Sequence, residues 1–160
     1  MALGDNTLRS AAGNSQRGRN PYMVQTTLNW ATALSDKGSA LAASDVIPVI
    51  AVPKGTMVLN AGIEVDTATD GSTFTVDLGM VDADVFVDGF DATSAAAVVA
   101  QNPAVYQPVM AVADDNIDVT IASLSGGAVT SGKFRVWAVL MDCTDMGDMA
   151  ANEVDRDTLA

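Results

Sequence analysis

The most regular stretch of the chain is DVIPVIAVPKGTMVLNAGIEVD, residues Asp45–Asp66. It predicts two strands, Val46–Val52 and Thr56–Asp66, separated by a turn at 53–55 whose Pro and Gly suit a tight reversal. Pro48 lies inside the first strand and cannot donate a ladder hydrogen bond, so that strand is predicted to be an edge strand or a bulged one. The block as a whole favours antiparallel β structure.

The segments on either side continue this pattern. Upstream, Tyr22–Trp30 alternates with a period of two, which predicts a strand with one buried face. Downstream, Asp70 and Gly71 form a hairpin signal before a strand at Ser72–Val81. Further strands are predicted at Ala104–Ala113, Ile117–Leu124 and Gly132–Met141. The last of these is apolar on both faces toward its end, which predicts a central position in a sheet.

Two segments lack strand periodicity. Ala31–Ser44 is small and polar and predicts a turn followed by a short connection. Ala92–Ala100 is the one plausible helix, capped by Asp91, although Val98 and Val99 could equally begin a strand. Seven to eight short antiparallel strands separated by Gly, Asp and Pro turns predict an all-β fold, a jelly-roll or β-sandwich, with a barrel as the remaining alternative.

The chain divides into three parts. Its 160 residues suit one folded domain, which we place at 22–142. Residues 1–21 are rich in Gly, Asn, Ser and Arg without periodicity, which predicts an extended flexible arm. Residues 143–160 predict an acidic C-terminal tail.

Charge limits the possible partners. The net charge is −12, and it is uneven: residues 1–54 carry +2 and residues 55–160 carry −14. Nucleic-acid binding needs clustered Lys and Arg, so neither a nucleic acid nor an anionic membrane surface is an expected partner. No run of about 18 apolar residues predicts a membrane span. The first nine residues do not resemble a signal peptide, so we expect folding in a reducing cytoplasm.

Composition also argues against catalysis. The chain has no histidine, which removes the commonest general base and the commonest metal ligand together. Ser-His-Asp and Cys-His arrangements are therefore impossible, and no glycine-rich phosphate loop is present. Cys143 is the single cysteine and predicts a small buried filler rather than a nucleophile. We expect no enzyme and no cofactor.

A group of aspartates is the remaining chemical candidate. The group lies in and beside the loop Asp82–Asp91, and carboxylate oxygens are ligands that calcium favours. The spacing does not fit an EF-hand, because Phe86 and Thr93 stand where ligands would be needed. Solvated loop carboxylates are the favoured interpretation, with calcium binding left as the alternative.

The order of these segments resembles the decoration, or cement, proteins of tailed-bacteriophage capsids. The resemblance covers roughly residues 24–141 and no part of it carries unique chemistry. It is carried by Asp45–Thr56 (DVIPVIAVPKGT), Val76–Gly79 (VDLG), Asp82–Asp88, Asp118–Thr120 (DVT) and Gly132–Val139 (GKFRVWAV). It implies a jelly-roll or sandwich domain, commonly a homotrimer, made in the host cytoplasm. Such proteins bind the major capsid protein on the outer surface of the virion, between capsomers, and have no catalytic residues.

On this interpretation the arm carries the contacts. Arg9, Arg17 and Arg19 are predicted to pair with acidic capsid surface, with Tyr22 beside them, while the acidic body faces solvent. Trp30 and Trp137 are predicted to be core or interface residues, with Met-rich surfaces near the contacts. The alternative function is a phage fibre, head-spike or receptor- or carbohydrate-binding module that uses a loop such as Val81–Phe90.

Overall fold

The computed structural model describes residues 20–100 and 108–143. These residues form nine strands and one helix. The elements in chain order are β1 Tyr22–Asn29, α1 Trp30–Lys37, β2 Val46–Val52, β3 Thr56–Thr67, β4 Thr73–Gly79, β5 Val87–Asp91, β6 Val98–Ala100, β7 Val109–Met110, β8 Asp115–Ser125 and β9 Lys133–Asp142. Within this part of the chain, no helix is long and apolar enough to cross a membrane.

The strands form two antiparallel sheets. Sheet A has the order β1-β9-β3-β6, and the short β7 also pairs with β3. Sheet B has the order β2-β8-β4-β5. The predicted all-β fold and the β-sandwich are therefore confirmed. β9 lies between β1 and β3, which is the central position that its apolar faces predicted.

One shared core joins the two sheets. Three aromatic side chains without exposed surface meet at its centre: Trp30 from α1, Phe74 from sheet B and Phe134 from sheet A. The ring of Trp30 meets those of Phe74 and Phe134 edge-on, with centroids 4.8 Å and 5.2 Å away. Such pairs add to the stabilisation that area burial alone gives. The core therefore depends on side chains from both layers at once.

The helix lies where the sequence predicted a connection, and the strand at Tyr22–Trp30 ends one residue earlier than expected. The side chain of Asn29 accepts a hydrogen bond from the backbone N–H of Ala31 at 3.0 Å, which caps the first turn. Gly38 ends the helix in a left-handed conformation with φ of 68°. Burial of Trp30 at the first helical position fixes the segment against the core.

The helix predicted at Ala92–Ala100 is wrong. The carboxylate of Asp91 does accept the backbone N–H of Thr93, as a cap would, but no helix follows. Instead the N–H of Ala96 donates to the carbonyl of Val65, and the chain continues as β6 beside β3. Pairing with a distant strand satisfies this backbone better than two local turns of helix, which need tertiary support.

The structure also bears on the predicted edge strand and on the predicted loop Asp82–Asp91. Pro48 lies in β2, which is both an edge strand and shifted in register between Pro48 and Ile50, so both features predicted from the proline are present. The first half of the predicted loop Asp82–Asp91 is irregular, but its last five residues form β5. The arm 1–21 and the tail 143–160 lie almost wholly outside the described residues and stay predictions.

Candidate interaction surface

The outer face of sheet A carries an apolar cluster that we call the methionine face. It consists of residues that β1, β3, β7 and β9 direct away from the core: Met23, Met57, Met110, Met141, Trp137 and Val139. Strand register brings them together, since Met23 pairs with Val139 and Met57 pairs with both Met110 and Met141. Met23 is 60% exposed and Met110 is 37% exposed. Flexible thioether side chains of this kind adapt readily to a partner surface.

The strand β9 is apolar on both of its sides. Its core-facing residues are the fully or almost fully buried Phe134, Val136, Ala138 and Leu140. The intervening residues include Trp137 and Val139, which stay partly exposed because nothing within the described residues covers them. A strand with one solvated face commonly carries polar residues at these positions.

Trp137 is held on this face by a glycine in the neighbouring strand. A side chain at Gly62 would bring its first carbon within 2.5 Å of Trp137 Cζ2 and of the carbonyl oxygen of Val99. The absence of that carbon lets the indole lie against the backbone of β3. Asn60, two residues earlier, has a buried Oδ1 with no hydrogen-bond partner among the described residues. The face therefore places a fixed aromatic side chain near a buried amide oxygen.

The opposite end of the same face is charged. Arg135 donates from a guanidinium nitrogen to Glu64 Oε2 at 2.7 Å, and both side chains are partly exposed. Lys133 lies two residues earlier on the same side of β9. Exposed pairs of this kind contribute little stability, so their effect is on the charge of the surface.

The outer face of sheet B is acidic. The four strands of sheet B contain five aspartates, among them the outward-facing Asp77 and Asp118, and neither lysine nor arginine. Burial raises the pKa of Asp77, and the nearby carboxylates of Asp88 and Asp84 raise it further, against a hydrogen bond from the N–H of Gly89. Burial also raises the pKa of Asp118, with a smaller contribution from Asp115. This face repels anions and interacts favourably with water and cations.

The structure also bears on the calcium alternative. Within residues 20–100 and 108–143, no group of three or more acidic, His or Cys side chains is arranged to hold a metal ion. One carboxylate oxygen of Asp77 is already used by the N–H of Gly89 at 2.7 Å. Solvated carboxylates remain the favoured interpretation of Asp82–Asp91.

An open cavity of about 420 Å³ lies between α1 and β2. Lys37 and Asp45 form an ion pair beside apolar residues such as Leu41 and Ile47. The hydrogen bond from Lys37 lowers the pKa of Asp45 first, followed by one from the N–H of Ala42. The carboxylate is therefore held ionised and paired with Lys37, and its lowered pKa makes it a weak proton acceptor.

The predicted contact residues lie in different places. Tyr22 begins β1 and is 45% exposed, whereas Trp30 is fully buried in the core. Trp137 lies half-buried on the methionine face, so the two tryptophans do not share a surface. Arg9, Arg17 and Arg19 lie outside the described residues. Sequence patterns indicated Met-rich contact surfaces but could not identify their members, because strand register decides which methionines meet.

No protein-family model matches this chain, and no curated protein matches it. The fold is nevertheless similar to chains of three solved phage capsids. A chain from the capsid of Ralstonia phage GP4 has a TM-score of 0.57 and 17% identity, over 79% of this chain and 86% of the other. A chain from the capsid asymmetric unit of cyanophage Pam1 has a TM-score of 0.57 and 20% identity, over 88% and 97%.

A chain from the capsid of Helicobacter pylori bacteriophage KHP30 has a TM-score of 0.50 and 15% identity, over 76% and 89%. In all three cases the match spans most of both chains. At these identities the similarity establishes a shared fold.

Proposed function

We propose that this chain is a structural protein of a tailed-phage virion that decorates and stabilises the capsid from outside, between capsomers. The observation that carries the proposal is the fold, which is similar over most of its length to chains of three phage capsids. A role in holding surfaces together also agrees with a sequence that lacks histidine and a phosphate loop.

The two outer faces support an orientation on the particle. The methionine face of sheet A is apolar and exposes Met23 and Met110, as a surface that becomes covered does. The face of sheet B is acidic and suits solvent. We therefore place sheet A toward the shell and sheet B toward the outside.

We also infer that the sandwich is a jelly roll. The pairings are nested, with β4 beside β5, β3 beside β6, β2 beside β8 and β1 beside β9. Successive pairs alternate between the two sheets, so the chain follows one long hairpin wound into two layers. This arrangement is the jelly roll of many viral capsid domains.

The partner on this proposal is the major capsid protein, and the chain acts as a homotrimer made in the host cytoplasm. Arg9, Arg17 and Arg19 supply positive charge from the arm, next to Tyr22 at the start of β1. An arm that orders on binding adds contact area without needing a core of its own.

The test is reconstitution on heads that lack this protein. Purified chain is added to such heads, unbound chain is removed by sedimentation, and the bound copies per head are counted by quantitative mass spectrometry. Saturation at hundreds of copies supports decoration, whereas saturation at a few copies supports the fibre or vertex alternative. No binding at any concentration contradicts both.

A chain without residues 1–20 tests the arm in the same assay. We expect it to fold and to lose attachment, because the basic residues of the arm are gone while 22–142 is intact. Unchanged occupancy would contradict the role of the arm.

A further inference from the structure

The sheet edges formed by the described residues differ in how they are protected from pairing with another chain. Edge strands are commonly guarded by shortness, proline, charge or a bulge. β2 contains Pro48 and a register shift. β5 has five residues, of which two are aspartates and one is Gly89 in a left-handed conformation. β6 and β7 have three and two residues. These edges are all guarded.

β1 has none of these protections. It runs for eight residues, Tyr22–Asn29, without a charged residue, a proline or a glycine. It pairs with β9 from Tyr22 opposite Leu140 to Asn29 opposite Lys133 without a register shift. Among the described residues no backbone hydrogen bond reaches its other side. Every second residue of β1 therefore directs its N–H and carbonyl away from β9, without a backbone partner among the described residues.

The backbone N–H and carbonyl groups along the free side of β1 favour one kind of partner. Alternating donors and acceptors at strand spacing are matched by the backbone of another extended segment, which pairs as an added strand. The exposed side chains beside these groups, Met23 at 60% and Gln25 next to it, are uncharged, so a segment of low charge fits best. A second copy of this chain is a poorer partner, because β1 pairing antiparallel with β1 of a second copy closes as a twofold dimer, which does not fit the homotrimer proposed above.

We infer that β1 is a strand-addition site, at which an extended, weakly charged segment of a different protein joins sheet A beside Tyr22–Asn29. The inference rests on the proposed function for the identity of that protein, which is then the capsid shell. The added strand extends sheet A on the side where Met23 begins the methionine face, so edge and face form one continuous contact.

Hydrogen exchange measured by mass spectrometry tests the site directly. In free protein we expect about half of the β1 amides to exchange rapidly, because alternate residues face outward. On reconstituted heads we expect those amides to exchange at least about tenfold more slowly. A peptide covering Val46–Val52 is the internal control, since β2 is a guarded edge and should be unchanged.

A pair of matched variants tests the same site by attachment. Gln25→Lys with Thr27→Lys places two charges on the exposed side of β1, which opposes strand addition. Val46→Lys with Ala51→Lys adds the same two charges to exposed positions of β2. We expect at least about tenfold weaker attachment to heads for the first pair only. Equal unfolding midpoints in denaturant show that both variants keep the fold.

The outcomes separate this inference from the proposed function. Strand addition is overturned if the parent chain attaches to heads while its β1 amides still exchange rapidly. It is also overturned if the β1 variant attaches normally. Either result leaves decoration standing. Failure of the parent to attach overturns decoration, and strand addition with it. Slow exchange of the β1 amides in free protein also overturns the inference. If that protection rises with protein concentration, a second copy covers β1. If it is independent of concentration, residues of the same chain cover β1.

Discussion

Sheet A and sheet B share a core but differ on their outer faces. Both bury alternate residues against the other layer, as Phe134 does from one side and Phe74 from the other. Outside, sheet A presents methionines and Trp137, while sheet B presents aspartates such as Asp77 and Asp118. The core constrains only one face of each sheet. The second face is free to vary, so its composition can differ between the two sheets.

The largest expected effect tests whether the two sheets are one cooperative unit. Phe134→Ala and Phe74→Ala each remove a fully buried ring that lies near Trp30, and each should lower the free energy of unfolding by about 3–5 kcal/mol. Denaturant titration followed by circular dichroism measures the loss. Both variants should unfold in a single transition. Two separate transitions would show that the layers are independent.

The next effect concerns how Trp137 is held on sheet A. Gly62→Ala places a methyl group within 2.5 Å of both Trp137 Cζ2 and the carbonyl oxygen of Val99. Overpacking of this kind costs about 1–3 kcal/mol, measured as a lower unfolding midpoint. Displacement of the indole should also move the tryptophan emission to longer wavelength. An unchanged midpoint with unchanged emission would contradict the close contact.

A third experiment compares the two surfaces as binding sites. Met23→Ser with Met110→Ser removes exposed apolar groups from the methionine face, and attachment to heads should weaken about tenfold, or about 1.4 kcal/mol. Val46→Ser with Val81→Ser removes two exposed valines elsewhere and should leave attachment unchanged. Both variants should keep their free energy of unfolding within about 0.5 kcal/mol. Equal attachment of the two would show that the methionine face is not the contact.

The smallest effect concerns the acidic face. Burial raises the folded pKa of Asp118, so the native state binds its proton more tightly than the unfolded chain. Stability therefore falls as pH rises from about 3.9 through that raised pKa, and ionised Asp118 is unfavourable at pH 7. Asp118→Asn should stabilise the protein at pH 7 by less than about 1 kcal/mol, since solvent screens the site. The gain should disappear near pH 3.

Asp36→Asn is the control for that measurement, because it removes a charge from an exposed position of α1. Thermal unfolding of the two variants at pH 3 and pH 7 gives the comparison. A gain that persists at pH 3 would show that the effect of Asp118→Asn does not come from its charge.

Sequence reasoning succeeded where the period of two was regular. The central position of β9 and the edge position of β2 followed from apolar residues on both faces and from Pro48. It missed the helix Trp30–Lys37 and was wrong about a helix at Ala92–Ala100, two places where local propensity competed with tertiary contacts. Burial of Trp30 against two distant phenylalanines favours a helix, and pairing with β3 favours a strand at Val98–Ala100. Neither contact is visible in a local window of sequence.

The sequence predicted a Met-rich contact surface but not which residues form it. The sequence shows that β1 has eight residues and no charge, but only the sheet order shows that β1 is an edge strand. Likewise Met57 and Met141 are far apart in sequence and become neighbours only through the register of β3 with β9.

The pairing of β1 with β9 also determines when the domain can complete its fold during synthesis. Tyr22 opposes Leu140, so the first strand finds its partner only after nearly all of the folded region has been synthesised. At translation rates of 5–20 residues per second, that interval is on the order of 10 s. Contacts of such long sequence separation also make folding slow. On the proposed function, the capsid therefore receives this chain as a finished domain, since a nascent chain lacks the strand on which β1 depends.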